Sequence, residues 1–228
     1  MKIGLMGGTF DPIHKGHLHI AEAAAEEYGL DEIWFLPAGD PYFKVGRDIT
    51  PAKQRLEMTA CCIAPYAPRY ACCAIEVERS GATYTAETLS ELHRRYPMHQ
   101  FYFIIGLDSL YQLEKWHTPE LLFEHAILLC ADRPEEQNGG AFVTAGRKSA
   151  QTDVMHASGS GEALRTPAEE IAHLQKKYGT QCRIYMLKTQ PMQVSSSMIR
   201  RITREGGDIS AYVSEPVAAY ITSHHLYA

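Results

Sequence analysis

The sequence predicts an α/β fold, a Rossmann-like, doubly wound parallel sheet in a single domain. Three observations predict it. Short apolar runs recur along the chain without polar alternation, as strands covered on both faces require. Stretches with helical periodicity separate them, several opening on readable caps. The first apolar run, Ile3-Gly4-Leu5-Met6, passes into two glycines and then a helix, the arrangement by which such sheets meet a phosphate beyond the carboxyl ends of their strands.

The strands read as Lys2 to Met6, Glu32 to Pro37, Tyr70 to Glu76, Phe101 to Ile105, Ala126 to Cys130 and Arg183 to Leu187. The first helix starts near Gly16, with Leu18, Ile20, Ala21, Ala24 and Ala25 on its apolar side. Thr50-Pro51 opens a second, Thr118-Pro119 another, and Thr166-Pro167 with Glu169 forms a capping box ahead of Ile171 and Leu174. From Arg133 to about Arg165 the chain is rich in Gly, Ser, Asn, Gln and charge, with little periodicity. It reads as an irregular insertion within one domain spanning residues 1–228.

Bulk properties set outer limits. A chain of 228 residues, 45% hydrophobic, can bury one substantial core. The formal net charge of -5 argues against a nucleic-acid surface, so bound phosphates must be neutralised locally. No basic and apolar leader opens the chain and no apolar run approaches the length of a membrane span, which reads as a cytoplasmic protein. The cysteines at 61, 62, 72, 73, 130 and 182 include two adjacent pairs that miss the CxxC spacing; they read as reduced, buried small hydrophobes.

The chemistry is concentrated in Gly7-Gly8-Thr9-Phe10-Asp11-Pro12-Ile13-His14-Lys15-Gly16-His17. Glycine lets backbone N–H groups approach an anion, and the positive end of the following helix favours negative charge. His14 and His17, at spacing i, i+3, point toward one volume, where both can donate to a phosphate. Two duller readings stand beside this: a metal pair, for which only Asp11 is near in sequence, and imidazoles that merely cap the helix. Neither GxGxxG nor GxxxxGK[ST] is present, so the dinucleotide fingerprint and the P-loop are both excluded.

Val194-Ser195-Ser196-Ser197-Met198-Ile199-Arg200-Arg201 is a second candidate anion site, with hydroxyls at a helix start and arginines one turn along. Taken alone, it reads equally as an ordinary cap with surface arginines.

The element His14-Lys15-Gly16-His17 after GGTFDP resembles the signature of the nucleotidylyltransferase superfamily, and VSSSMIR resembles its ISSTxIR element. Ile33 to Lys44 is similar to the second strand and lysine loop of bacterial nicotinate mononucleotide adenylyltransferases. Thr83-Tyr84-Thr85-Ala86-Glu87-Thr88-Leu89 is similar to their YTxDTL segment, and Gly106-Leu107-Asp108-Ser109-Leu110 with Trp116 to their GxDxL and tryptophan elements. The segment Tyr212 to Tyr227 resembles their closing helix, so the likeness covers all but the insertion. Three positions depart from the pattern: Phe43 stands where these proteins usually have His, Glu87 where they have Asp, and Ser197 where they have Thr.

This resemblance implies adenylyl transfer from ATP to nicotinate mononucleotide, giving nicotinate adenine dinucleotide and pyrophosphate for NAD biosynthesis. It implies His14, His17, Lys44 and Arg200 as the catalytic set, acting by alignment and charge stabilisation without a general base. ATP would lie against Gly7, Gly8, Thr9, Phe10, His14, His17, Gly106, Asp108, Ser196, Ser197 and Arg200. Asp108 offers an acceptor for ribose hydroxyls, or a helix cap. Nicotinate mononucleotide would meet Lys44, Tyr84, Thr85 and Trp116, the last offering a stacking face or serving as a packing residue. Magnesium would be held mainly by substrate phosphates and water, with no protein ligands. Another acceptor, such as nicotinamide mononucleotide or phosphopantetheine, and a catalytically silent nucleotide-binding regulator are the competing readings. A homo-oligomer is compatible with the sequence and not dictated by it.

Overall fold

Six strands carry the apolar runs: β1 (Lys2–Gly8), β2 (Glu32–Pro37), β3 (Tyr70–Cys72), β4 (Gln100–Gly106), β5 (Ala126–Ala131) and β6 (Ile184–Met186). All pair in parallel, in the order β3-β2-β1-β4-β5-β6. The computed structural model describes residues 1–39, 49–132, 165–190 and 192–228.

The order runs outward in both directions from β1 and β4, the two central strands, and the doubly wound reading of the sequence holds. Leu5 lies between Trp34 and Phe103, and Met6 between Phe35 and Ile104. Successive residues therefore feed opposite faces, and each face has its own core. Met6, Ile33, Phe35, Ile104 and Leu129 pack with Ala21 and Ala24 of α1 (Lys15–Tyr28), Met58 and Cys62 of α2 (Ala52–Ile63), and other buried residues. Ile3, Leu5, Phe101, Phe103 and Leu128 pack with Leu89 and Leu92 of α3 (Thr85–Arg95) on the other side.

The strand ends differ from expectation where the site lies. β1 runs two residues past Met6, and β4 ends at Gly106, so Gly7 and Gly8 are strand residues paired with Leu36 and Pro37 rather than the start of a turn. β3 is shorter than the run Tyr70 to Glu76: after Cys72 the chain turns, with Glu78 N–H donating to the Ala74 carbonyl. A short helix, α4 (Leu107–Leu110), follows β4 directly.

Of the readable helix starts, Thr118-Pro119 opens α5 (Pro119–His125) and Thr166-Pro167 opens α6 (Pro167–Tyr178). The Thr166 and Glu169 side chains each accept from the other's backbone N–H, at 3.3 and 2.8 Å. The closing segment holds α8 (Glu215–Ser223), with Leu226 and Tyr227 beyond its end. All six cysteines are free thiols; Cys62, Cys130 and Cys182 are buried and the other three partly so. Most of the insertion, residues 133–164, lies outside the described residues. Among those described, no helix is long and apolar enough to cross a membrane.

Candidate active site

A cleft opens at the carboxyl ends of the central strands, lined by Met6, Gly7, Phe103, Gly106, Ser109 and Trp116 among others. It sits between β1 and β4, where the strand order reverses, the position at which doubly wound sheets bind their ligands.

The glycines near its edge are closely packed by side chains. A Cβ on Gly7 would lie 3.2 Å from the Phe103 ring, one on Gly8 3.0 Å from the Phe10 ring, and one on Gly16 2.8 Å from Val194 Cγ1 and 3.0 Å from His14 Nδ1. Phe10 itself sits at φ 49°, a left-handed backbone that costs a non-glycine residue on the order of 1 kcal/mol. Its ring is buried, edge-on to His17 with centroids 5.0 Å apart and 6.0 Å from Phe35. What Phe10 offers a nucleotide is therefore backbone, not a stacking face.

Along the chain come the two histidines. His14 is the N-cap of α1 and His17 its N3 residue, and their rings stack at 3.7 Å with 26° between planes. The His14 N–H donates to His17 Nδ1 at 3.1 Å, so a neutral His17 carries its proton on Nε2. His14 is buried, while His17 is partly exposed. The helix terminus itself is less open to an anion than the sequence suggested: Lys15 N–H donates to the Tyr212 carbonyl at 2.8 Å and His17 N–H to the His14 carbonyl at 2.9 Å.

The second motif docks on the first. Ser195 caps α7 (Ser196–Arg204), its Oγ accepting from Met198 N–H at 3.2 Å. Ser196 Oγ donates to the Pro12 carbonyl at 2.9 Å, and Arg200 Nη1 to the Asp11 carbonyl at 2.7 Å; Arg200 Nη2 reaches Ser197 Oγ at 3.4 Å. Segments nearly the whole chain apart thus meet at one turn. Ser195 is thus the cap of the duller reading and Arg201 is exposed, but Arg200 is turned onto the Asp11 turn, and the Ser196 hydroxyl is engaged with protein rather than presented outward.

The Asp11 carboxylate is buried and held on both oxygens, Oδ1 accepting from Tyr227 OH at 2.7 Å and Oδ2 from Thr50 N–H at 3.4 Å. Burial, with Asp11 alongside, pushes the Tyr227 phenol well above the ordinary tyrosine range, so it remains a donor. Among the described residues, no cluster of three or more His, Cys, Asp or Glu is placed to hold a metal ion.

On the far side of the cleft, Gly106 rather than Asp108 caps α4, and the exposed Asp108 stands in its first turn. Tyr84 caps α3, Thr85 begins it, and Trp116 stands edge-on to Phe103 at 6.5 Å. Lys44 and Phe43 lie outside the described residues.

Three residues at the site were missed by sequence reasoning. Tyr227 is one. His117 packs its ring on Tyr84 at 4.4 Å. Arg55, 1% exposed, sends Nε to the Thr50 carbonyl at 2.8 Å, Nη1 to Thr9 at 2.7 Å and Nη2 to Gly39 at 2.7 Å. A signal for it existed: Arg55, Met58, Thr59 and Cys62 recur at helical spacing on one buried face.

Residues 5–202 match the Cytidylyltransferase-like family model. A probable nicotinate-nucleotide adenylyltransferase of Lachnoclostridium phytofermentans is 38% identical over 226 residues, covering 99% of this chain and 98% of that one. Another, from Exiguobacterium sibiricum, is 42% identical over 228 residues, with 100% of each chain covered. Among solved structures, the Plasmodium falciparum nicotinic acid mononucleotide adenylyltransferase complexed with NaAD superposes with a TM-score of 0.69 at 19% identity, covering 99% of this chain and 97% of that one, which shows the shared fold. Full-length relatives at this identity, the family model and the docked motifs agree: the chain belongs to the nicotinate-nucleotide adenylyltransferase family of Cytidylyltransferase-like proteins.

Proposed function

We propose that this protein transfers the adenylyl group of ATP to nicotinate mononucleotide in the cytoplasm, as a step of NAD biosynthesis. The observation that carries the reading is the docking of Ser196 and Arg200 on the Asp11-Pro12 turn beside the stacked histidines, in a chain that is alike over its full length to relatives named for this activity. The solved Plasmodium enzymes, complexed with APC and with NaAD, share the fold.

In the proposed reaction a phosphate oxygen of nicotinate mononucleotide attacks the α-phosphorus of ATP. The bond from that phosphorus to the β-bridging oxygen breaks, and pyrophosphate leaves with the electron pair. The nucleophile is already an anion, so no side chain has to remove a proton. Work is left for alignment and for charge on the α-phosphoryl oxygens, which we assign to the Nε2–H of His17 with the His14 ring stacked on it. Arg200, held through Nη1 on the Asp11 carbonyl and reaching Ser197 through Nη2, and Lys44 are assigned to the triphosphate.

Magnesium held mainly by phosphate is consistent with the donors here: beside imidazole and guanidinium stands one exposed carboxylate, Asp108, while the Asp11 carboxylate is turned to Tyr227 and Thr50. Bound there, the ion would supply charge neutralisation for pyrophosphate. At the acceptor end Trp116 offers a face for the pyridine ring, and the start of α3 at Tyr84 and Thr85 offers backbone N–H groups to a carboxylate.

A panel of nicotinate mononucleotide, nicotinamide mononucleotide and phosphopantetheine, each with ATP and magnesium, tests the proposal by pyrophosphate release. Fastest turnover with the nicotinate compound is expected; preference for another acceptor, or ATP binding without turnover on any, overturns it.

A further inference from the structure

Trp116 follows a single 3₁₀ turn, Leu113–Lys115, and its N–H donates to the Leu113 carbonyl at 3.1 Å. Buried Leu113 roots that turn in the core, but Trp116 stands three residues on and is only partly buried. Its ring meets Phe103 edge-on at 6.5 Å, near the outer limit of such contacts. A turn this short has too few backbone bonds to hold a large ring in place by itself.

Its neighbours in sequence reach out to two different helices. Two residues before Trp116, Glu114 Oε1 accepts from Lys177 Nζ at 2.7 Å and lies 3.3 Å from His173 Nε2, both on α6. The Lys177 bond, with His173 beside it, holds the Glu114 carboxyl below the ordinary glutamate range. One residue after Trp116, His117 lays its ring on Tyr84, the cap of α3, with centroids 4.4 Å apart and 34° between planes. His117 Nε2 also stands 3.9 Å from Oε1 of Glu87, one of the three departures from the family pattern. Thr118, next along the chain, is held at φ 47°, a left-handed backbone that a β-branched residue keeps only where its surroundings impose it.

We infer that Glu114 and His117 are positioning residues for the acceptor: they brace Trp116 from α6 and from α3, and through the place of the indole ring they set affinity for nicotinate mononucleotide. The inference rests on the adenylyl-transfer reading above. The contact with Tyr84 is ring on ring and needs no charge, so it carries more of the brace than the Glu114 ion pairs, which are partly exposed and individually weak. A ribose separates the pyridine ring from the attacking phosphate. Loss of the brace therefore weakens the binding of one substrate and leaves the chemical step alone.

The test uses His117→Ala, His117→Phe, Glu114→Gln and the double variant of Glu114→Gln with His117→Ala. Steady-state kinetics are run with each substrate varied in turn. The same full-length chains, labelled with fluorotryptophan, are followed by fluorine NMR without substrates. The chain has two tryptophans, so Trp34, packed against Tyr96 and Phe101, serves as the internal reference. The KM for nicotinate mononucleotide is expected to rise about fivefold in His117→Ala, about two- to threefold in Glu114→Gln and about tenfold in the double variant. The KM for ATP and kcat are expected to stay within about twofold of the parent. His117→Phe keeps a ring on Tyr84 and is expected to match the parent within about twofold throughout. The Trp116 resonance is expected to move toward that of the free amino acid in His117→Ala and the double variant, while that of Trp34 stays in place.

An acceptor KM within about twofold of the parent in the double variant overturns the inference. So do an equal rise in the KM for ATP, a His117→Phe variant no better than His117→Ala, and a Trp116 resonance that does not move. Should the double variant not fold, as read by circular dichroism, the comparison of His117→Ala with His117→Phe decides. If the parent makes no pyrophosphate with nicotinate mononucleotide, the functional reading fails, and the fluorine spectra still decide the brace.

Discussion

The main-chain N–H of His14 donates to Nδ1 of His17 at 3.1 Å, so the ring proton of a neutral His17 sits on Nε2. The His14 ring lies flat against it at 3.7 Å, so neither imidazole swings without the other. His17→Ala is expected to lower kcat by about 10²- to 10³-fold, the usual loss when one preorganised donor to a developing oxyanion is removed. Because the bond to His14 also caps α1, stability is expected to fall by about 1 kcal/mol. Pyrophosphate release and a denaturant melt read the two effects separately, and near-normal turnover with a normal fold would remove His17 from the mechanism.

Gly16 sits between His14 and Val194: a Cβ there would fall 2.8 Å from Val194 Cγ1, where something must shift, and 3.0 Å from His14 Nδ1, where the fit is tight. Gly16→Ala is expected to push the His14 ring off its stack, lowering kcat by at least about tenfold and stability by about 1–3 kcal/mol, as over-packing of a close contact does. Gly29→Ala makes the control: nothing lies near a Cβ there, but its φ of 59° makes the backbone strained. The control is expected to lose stability with kcat unchanged, and equal kcat losses in the two variants would mean that the Gly16 contact has no special bearing on the histidines.

Tyr227 completes the underside of the same turn. Its hydroxyl is the partner of Asp11 Oδ1, and the Asp11 carbonyl in turn holds Arg200. Tyr227→Phe strands a buried carboxylate oxygen and is expected to cost about 1–3 kcal/mol, with kcat reduced because the Asp11 turn and Arg200 shift together. Tyr220→Phe, which removes a hydroxyl donated to Glu57 between α8 and α2, is expected to leave kcat unchanged. Should both substitutions leave kcat alone, the turn does not depend on Tyr227.

The contrast between these residues shows what a sequence makes legible. The strands could be read because continuous apolar runs have one cause, burial on both faces, and β1, β2, β4 and β5 fall within two residues of expectation. The run Tyr70 to Glu76 overshoots β3 because Ala74 to Glu76 stay buried or partly buried after the last bond to β2, from Cys73 N–H to the Phe35 carbonyl, and burial without pairing looks the same in sequence. His14, His17, Ser196 and Arg200 are recognisable by chemistry and spacing. Arg55 and Tyr227 are not, because their partners are backbone carbonyls and a carboxylate brought together only by folding. The apparent openness of the α1 terminus failed for the same reason: the carbonyl that takes the Lys15 N–H comes from Tyr212.

The thiols make the alkaline limit of stability testable. Burial pushes the Cys62 thiol up to about 11, and burial pushes those of Cys130 and Cys182 up to about 12, from an ordinary value near 9. At Cys130 the negative charges of Asp132 and Asp108 add to the effect, while at Cys62 the neighbouring Ser214 hydroxyl opposes it. Below about pH 8.5 both folded and unfolded chains hold these protons, and the full stabilisation is present. Above that the unfolded chain releases protons that the folded chain keeps, so stability falls as pH rises toward the folded values, each buried thiol contributing a slope that approaches about 1.4 kcal/mol per pH unit. The raised phenols of Tyr70, Tyr220 and Tyr227 act in the same direction, but only above their ordinary value near 10. Urea melts between about pH 8.5 and 9.5 therefore isolate the cysteines. The parent is expected to lose stability steadily across that window, and Cys62→Ala with Cys130→Ala to flatten the loss even though the two cavities lower stability at every pH. An unchanged slope in the double variant would show that these thiols ionise as readily folded as unfolded, and that their burial carries no linkage to pH.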